Sequence, residues 1–161
     1  MKLFILIITL LSYSNLKSQA LCVSAKVFGT DDHRLNGVTI QVIEDNKVVA
    51  TQKTEKGMVW LYNCAYGKVY KFNYMYKGYL TRHLIFDLRN LPAEVSGENS
   101  SIDVDMTMYR KKELAGCKSQ LPAWESMDSG VLVYDPLKSE FTWKCEEGIT
   151  MKTEMEACRI H

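Results

Sequence analysis

The chain has 161 residues and is almost balanced in charge, with 20 basic and 19 acidic side chains. That length suits one ordinary domain with a hydrophobic core and a tail. The balance and the lack of basic clusters exclude the electrostatic footprint of a nucleic-acid binder and the polybasic stretch of a peripheral membrane binder.

Lys2 is followed by an apolar run of about nine residues, Leu3 to Leu11, too short for a membrane span, which takes about 20. With Ser18 and Ala20 at the −3 and −1 places, residues 1–20 read as a secretory signal cut after Ala20. The competing readings are a buried N-terminal strand or helix, and a lipoprotein signal acylated at Cys22. A lipoprotein signal wants a small residue just before the cysteine and a leucine three places upstream; Leu21 and Gln19 stand there instead. The expectation is therefore an exported protein of the periplasm or cell surface, outer-membrane association included, with no transmembrane segment. Losing Lys2 and Lys17 with the leader leaves 18 basic against 19 acidic residues, a formal charge of −1.

Cys22, Cys64, Cys117, Cys145 and Cys158 all survive that cut. Paired thiols are the rule in an oxidising compartment. Five is odd, so at most two bridges form, and 15 pairing schemes stay open. The expectation is one bridge between two of the three tail cysteines and a second joining Cys22 to Cys64.

Taken in order, Cys22 to Gly29 alternates as a first strand, with Val23, Ala25 and Val27 on one side. A polar loop, Thr30 to Arg34, leads through Asn36-Gly37 into a strand whose Val38, Ile40 and Val42 face one way. Asp45-Asn46 is hairpin chemistry, since both residues tolerate positive φ, and Lys47 to Thr54 is the partner strand. Lys56-Gly57 turns the chain into Met58 to Cys64, and Tyr66-Gly67 turns it again. Tyr70, Phe72, Tyr74 and Tyr76 then fall on every second position and share one face. After Gly78, Tyr79 to Asp87 is the next strand, and Arg89 to Ser100 is a long surface loop. Ser101 to Tyr109 places Ile102, Val104, Met106 and Met108 inward and Asp103, Asp105 and Thr107 outward. Asn99-Ser100-Ser101 fits the glycan-acceptor pattern. This makes about seven strands, the pattern of an all-β, two-sheet sandwich.

Beyond residue 110 the composition shifts. Gly116 to Gly130 reads as irregular. Val131 to Tyr134 and Glu140 to Lys144 read as a hairpin around Asp135-Pro136. Met151, Met155 and Cys158 have the spacing of a short amphipathic helix. Residues 21–110 are thus the sandwich, and residues 111–161 a small cysteine-containing C-terminal extension of hairpin plus short helix.

Three elements in order and spacing, Arg34 to Ile40, Thr54 to Trp60 and Tyr66 to Tyr79, make residues 23–109 resemble the carboxypeptidase regulatory-like family. Lys56-Gly57 departs from its usual acidic-Gly turn. The extension, with Val131 to Asp135 and Phe141, is similar to that of envelope-associated members. The resemblance implies a seven-strand transthyretin-like β-sandwich, a non-catalytic accessory or binding role, and no catalytic residue or cofactor.

Four constellations bear on chemistry. A solvent-facing Tyr70, Phe72, Tyr74 and Tyr76 row would suit stacking on sugar; filling the core between sheets is the plainer reading. Asp103 and Asp105 lie far short of the six or more oxygens calcium wants. Cys117, Cys145, Cys158 and His161 have zinc-like types, but the exported context favours bridges. His83 and Asp87 share a strand face about 13 Å apart, too far for a dyad; His33 lies in a loop. The Tyr-Arg-Gly-Ser signature of the transthyretin-like hydroxyisourate hydrolase is absent, Tyr109-Arg110 being followed by Lys111-Lys112. The expectation is a non-enzymatic module, without metal, that binds protein partners at the envelope, through an exposed sheet edge for example. A glycan-binding domain and a transthyretin-like hydrolase are the alternatives.

Overall fold

A computed structural model describes residues 20–92 and 100–159. All of the expected leader but Ala20, the acceptor Asn99 and the zinc candidate His161 lie outside the described residues, as does part of the long loop.

Among the described residues, nine strands form two sheets. β1 (Ala20–Gly29) lies between β4 (Met58–Ala65) and β7 (Ser100–Met108), antiparallel to the first and parallel to the second. The larger sheet runs β3 (Lys47–Lys53), β2 (Thr39–Glu44), β5 (Val69–Met75), β6 (Arg82–Asp87), β8 (Gly130–Asp135) and β9 (Glu140–Lys144). The expected seven-strand sandwich with a separate tail hairpin is corrected to nine strands in its two sheets among the described residues. The tail hairpin forms as expected, but it is no appendage: β8 pairs in parallel with β6 from Leu84–Gly130 to Asp87–Val133 and continues the sheet.

Alternation decides which side chains meet between the sheets. Val23, Ala25 and Val27 of β1 and Val104, Met106 and Met108 of β7 face Ile40, Val42, Tyr70, Phe72, Tyr74, Leu84, Phe86 and Leu132 in one core. The β2–β3 turn is carried by Asp45 (φ 49°) and Asn46 (φ 61°), the left-handed pair that matches strand twist in a two-residue hairpin. Gly57 (φ 73°) sits under Arg34, whose Cβ would lie 2.4 Å from any Cβ added there, so the Lys56-Gly57 turn admits glycine for both reasons.

A second, smaller core closes one end. Leu80 and Tyr109 from the sandwich meet Leu114, Trp124, Met151 and Met155 from the tail. The segment expected to be irregular is largely helical: a kinked 3-10 stretch, Lys111–Gln120, runs into α1 (Leu121–Ser126), anchored by Leu114 and Trp124. The terminal helix, α2 (Glu146–Ala157), buries Met151 and Met155 as their spacing implies.

Candidate functional site: a groove beside an open sheet edge

The two sheets differ in width, three strands against six. β7 ends the narrow sheet, and among the described residues it pairs only with β1. The broad sheet continues past it through β8 and β9, and α2 lies beyond. A groove of about 330 Å³ opens there. One wall is five consecutive residues of β7, Asp103 to Thr107; the other carries Arg82, Leu84, Ser129, Trp143, Cys145 and Lys152. Consecutive strand residues point to opposite faces, so what five in a row present together is the main-chain edge itself.

Arg82 is the unusual member. It occupies an inward position of β6, in step with Leu84, Phe86 and Leu88, and is only 7% exposed. Its Nε–H donates to Ser129 Oγ at 2.7 Å, and its guanidinium lies 5.6 Å from the centre of the Tyr109 ring. Nη1 is enclosed without an acceptor. No carboxylate pairs with it among the described residues. Burial pulls its pKa down, against a smaller upward pull from Tyr109.

The other groove groups are better matched. Asp103 accepts a hydrogen bond from Ser24 on the outer sheet face, and Asp105 stands opposite Lys26 in the β1–β7 register. Burial holds the Cys145 thiol above its ordinary value, so at neutral pH it stays protonated and lines the groove as a small apolar group. Trp143 packs edge-on against Phe86 at 5.6 Å.

The sequence-derived candidates lie elsewhere. Tyr70, Phe72 and Tyr74 are core residues, and Tyr76 is half-buried beside Tyr79. The aromatic row therefore offers no flat face to solvent, because its side of the sheet is covered by β1 and β7. The aromatic that does stand out is Trp60, 71% exposed on the outer face of β4. Cys117 and Cys158 are joined by a disulfide that ties the 3-10 segment to the end of α2, which removes both from the zinc set. The Cys22–Cys64 bridge is corrected. Both are free thiols, for Leu21 is the residue opposite Cys64, and alternation sends Cys22 to the other face. The enclosed Cys64 thiol is pushed up to about 12 by burial, with smaller contributions from Cys22 and Glu44.

His33 is exposed in its loop beside Asp31. His83 is held by the Glu125 carbonyl at Nε2 (2.7 Å) and the Asn73 amide at Nδ1 (2.6 Å). Both ring nitrogens are thus engaged, and Asp87 pairs with Arg89 instead.

The chain alone points to an exposed sheet edge in general, but to neither Arg82 nor β7 in particular. A signal for Arg82 existed: it is the one charged residue in an otherwise apolar alternation, Arg82, Leu84, Phe86, Leu88. The open edge had none, since strand order is a long-range property.

No protein-family model matches the chain, and no curated protein matches it. Among solved structures, the C-terminal fragment of the pilus adhesin SpaC from Lactobacillus rhamnosus GG aligns with a TM-score of 0.41 and 10% identity, over 58% of this chain and 46% of that one. The chain thus spans under half of that fragment's length, and a likeness this distant transfers neither function nor partner.

Proposed function

We propose that the protein is a non-enzymatic, exported β-sandwich module of the transthyretin-like, carboxypeptidase regulatory-like kind, which binds a protein partner by accepting an extended segment along β7. The observation that carries this reading is the groove wall of five consecutive β7 residues. An unpaired edge offers a row of main-chain donors and acceptors that an added strand satisfies. The β3 edge is a poorer candidate, with Lys47 and Lys53 at its two ends. Export is supported by the Cys117–Cys158 disulfide, since such bridges persist in oxidising compartments.

The test is a photo-crosslinking residue at Thr107, with one at Lys53 as control, in the protein expressed in its native envelope. The expected result is an adduct at 107 alone that maps to one extended segment of one partner, with slowed amide exchange over residues 103–107 in the complex. A partner bound with those amides exchanging as before would overturn it.

A glycan-binding reading keeps one observation in its favour, the exposed Trp60 with the half-exposed Met58 on the same face. It requires that polysaccharide quench tryptophan emission and that Trp60→Ala abolish the quenching.

A further inference from the structure

We propose that the groove beside β7 selects a peptide strand bearing a carboxylate, with Arg82 as the residue that receives it; this rests on the strand-accepting reading of β7. The first ground is the unmet hydrogen-bonding capacity of Arg82. A guanidinium presents five N–H donors and cannot shed its charge. Here one is taken by Ser129 Oγ, the Tyr109 ring lies alongside, and Nη1 is enclosed with no acceptor. Burying a cation without a counter-charge is costly, and every acidic side chain among the groove-lining residues is already engaged or faces outward. Asp103 is taken by Ser24, and Asp105 lies beside Lys26. Arg82 lines the groove, so the groove is the side from which an acceptor can reach its guanidinium.

The second ground is shape. A compact anion such as phosphate would leave the β7 edge unused. An extended chain would use that edge along Asp103 to Thr107, about 17 Å of strand. Its side chains on one face would point down toward Leu84, Trp143 and Arg82, all lining the same groove. Because Arg82 projects from the inward face of β6, a glutamate, or a terminal carboxylate that ends the strand there, is the group whose reach and charge suit it. Lys152 adds a second positive charge from the α2 side. A charged pair formed in such an enclosed place discriminates by more than its net strength, since a neutral isostere leaves the guanidinium buried and unpaired.

The probe is a positional-scanning library of extended heptapeptides in which each position carries Glu, Gln, Lys or Phe, made with free or amidated C-termini. Affinity is read by fluorescence anisotropy. Occupancy of the groove is read by protection of the Cys145 thiol from maleimide and by amide exchange over 103–107. The expected result is binders with Glu at one fixed position, or with an obligatory free terminus, that protect both reporters. They should lose about 30-fold or more on Glu→Gln or amidation. Arg82→Gln should reduce that preference to within about threefold, and Lys152→Glu should weaken acidic peptides more than neutral ones. If Arg82→Gln fails to fold, the Glu-against-Gln comparison on the unaltered protein decides. Peptides that protect Cys145 and the β7 amides with no acidic preference would overturn the role of Arg82 and leave the strand-accepting edge standing. Acidic binding that leaves the β7 amides unprotected, or inorganic phosphate binding equally well, would overturn the peptide. No protection by any peptide would overturn both.

Discussion

Two buried hydroxyls in this molecule have opposite standing. Thr54 Oγ1 accepts from the Val38 amide at 3.0 Å and donates to the Leu35 carbonyl at 2.7 Å, stitching the start of β2 to the end of β3. Tyr74 carries its hydroxyl into the core with no partner. Removing a used group strands two backbone groups; removing an orphan strands none. Thr54→Val should therefore cost about 1–3 kcal/mol, whereas Tyr74→Phe should be neutral or stabilising by up to about 1 kcal/mol. Urea unfolding of the two variants checks both, and a Tyr74→Phe loss above about 1 kcal/mol would mean that its hydroxyl has a partner. His83 gives the pH dependence. Burial lowers its pKa from the ordinary 6.5, against an upward pull from the Glu125 carbonyl, with Lys71 and Arg82 lowering and Asp128 raising it further. The folded chain thus prefers the neutral ring. Above about pH 6.5 neither state binds the proton and stability is full; as pH falls below that, the unfolded chain takes up a proton that the folded chain resists, and stability declines. Urea midpoints at pH 7.5 and 5.5 should differ in the unaltered protein, and the difference should shrink in His83→Gln. Equal shifts in both would assign the effect to other groups.

At the scale of elements, the tail is fixed by a bridge and a close approach. The Cys117–Cys158 disulfide spans 41 residues and closes the second core from outside. Loop-closure entropy for that span corresponds to about 4 kcal/mol, so Cys117→Ser should lower stability by about 3–4 kcal/mol, and an unreduced, denatured chain should titrate three thiols. Five free thiols would sink the assignment. Gly148 lets α2 approach the β8 entry: a Cβ there would sit 2.0 Å from the Ser129 carbonyl oxygen. Gly148→Ala should push α2 away at about 1–3 kcal/mol, read by thermal melting. These elements also divide what sequence could give from what it could not. Asp45-Asn46 and Lys56-Gly57 announce their turns because left-handed backbone has few side chains to choose from. Met151, Met155 and Cys158 announce a helix by spacing. The 3-10 stretch and α1 went unread because they are short and hold only Leu114 and Trp124 as buried anchors. The Cys22–Cys64 pairing failed on a one-residue register, a property of two strands together.

At the scale of the whole molecule, the division into a sandwich and an extension meets a physical difficulty. Alternation made the inward faces legible, and β1, β2, β5 and β7 bury the residues it named, Ile102 and Tyr76 only in part. It could not say that β6 would pair with β8, more than 40 residues further on, nor that the sheets would differ in width, and the groove and Arg82's surroundings follow from that difference. Cutting after Arg110 would uncover the β6 edge along Leu84 to Asp87, remove Leu132 from the main core, take Trp143 from Phe86, and leave Leu80 and Tyr109 without Leu114, Trp124, Met151 and Met155. Each large apolar side chain returned to water costs about 1.5–3 kcal/mol, and a domain of this size holds only about 5–15 kcal/mol in all. A fragment of residues 20–110 should therefore lack a cooperative transition, with weak spectral dispersion and dye binding at exposed apolar surface, while the chain carried through residue 159 melts as one unit. A fragment that melts sigmoidally with dispersed amide resonances would show that the first seven strands form an independent domain, and the tail would then be an accessory whose removal leaves the β7 edge available for the same strand-binding assays.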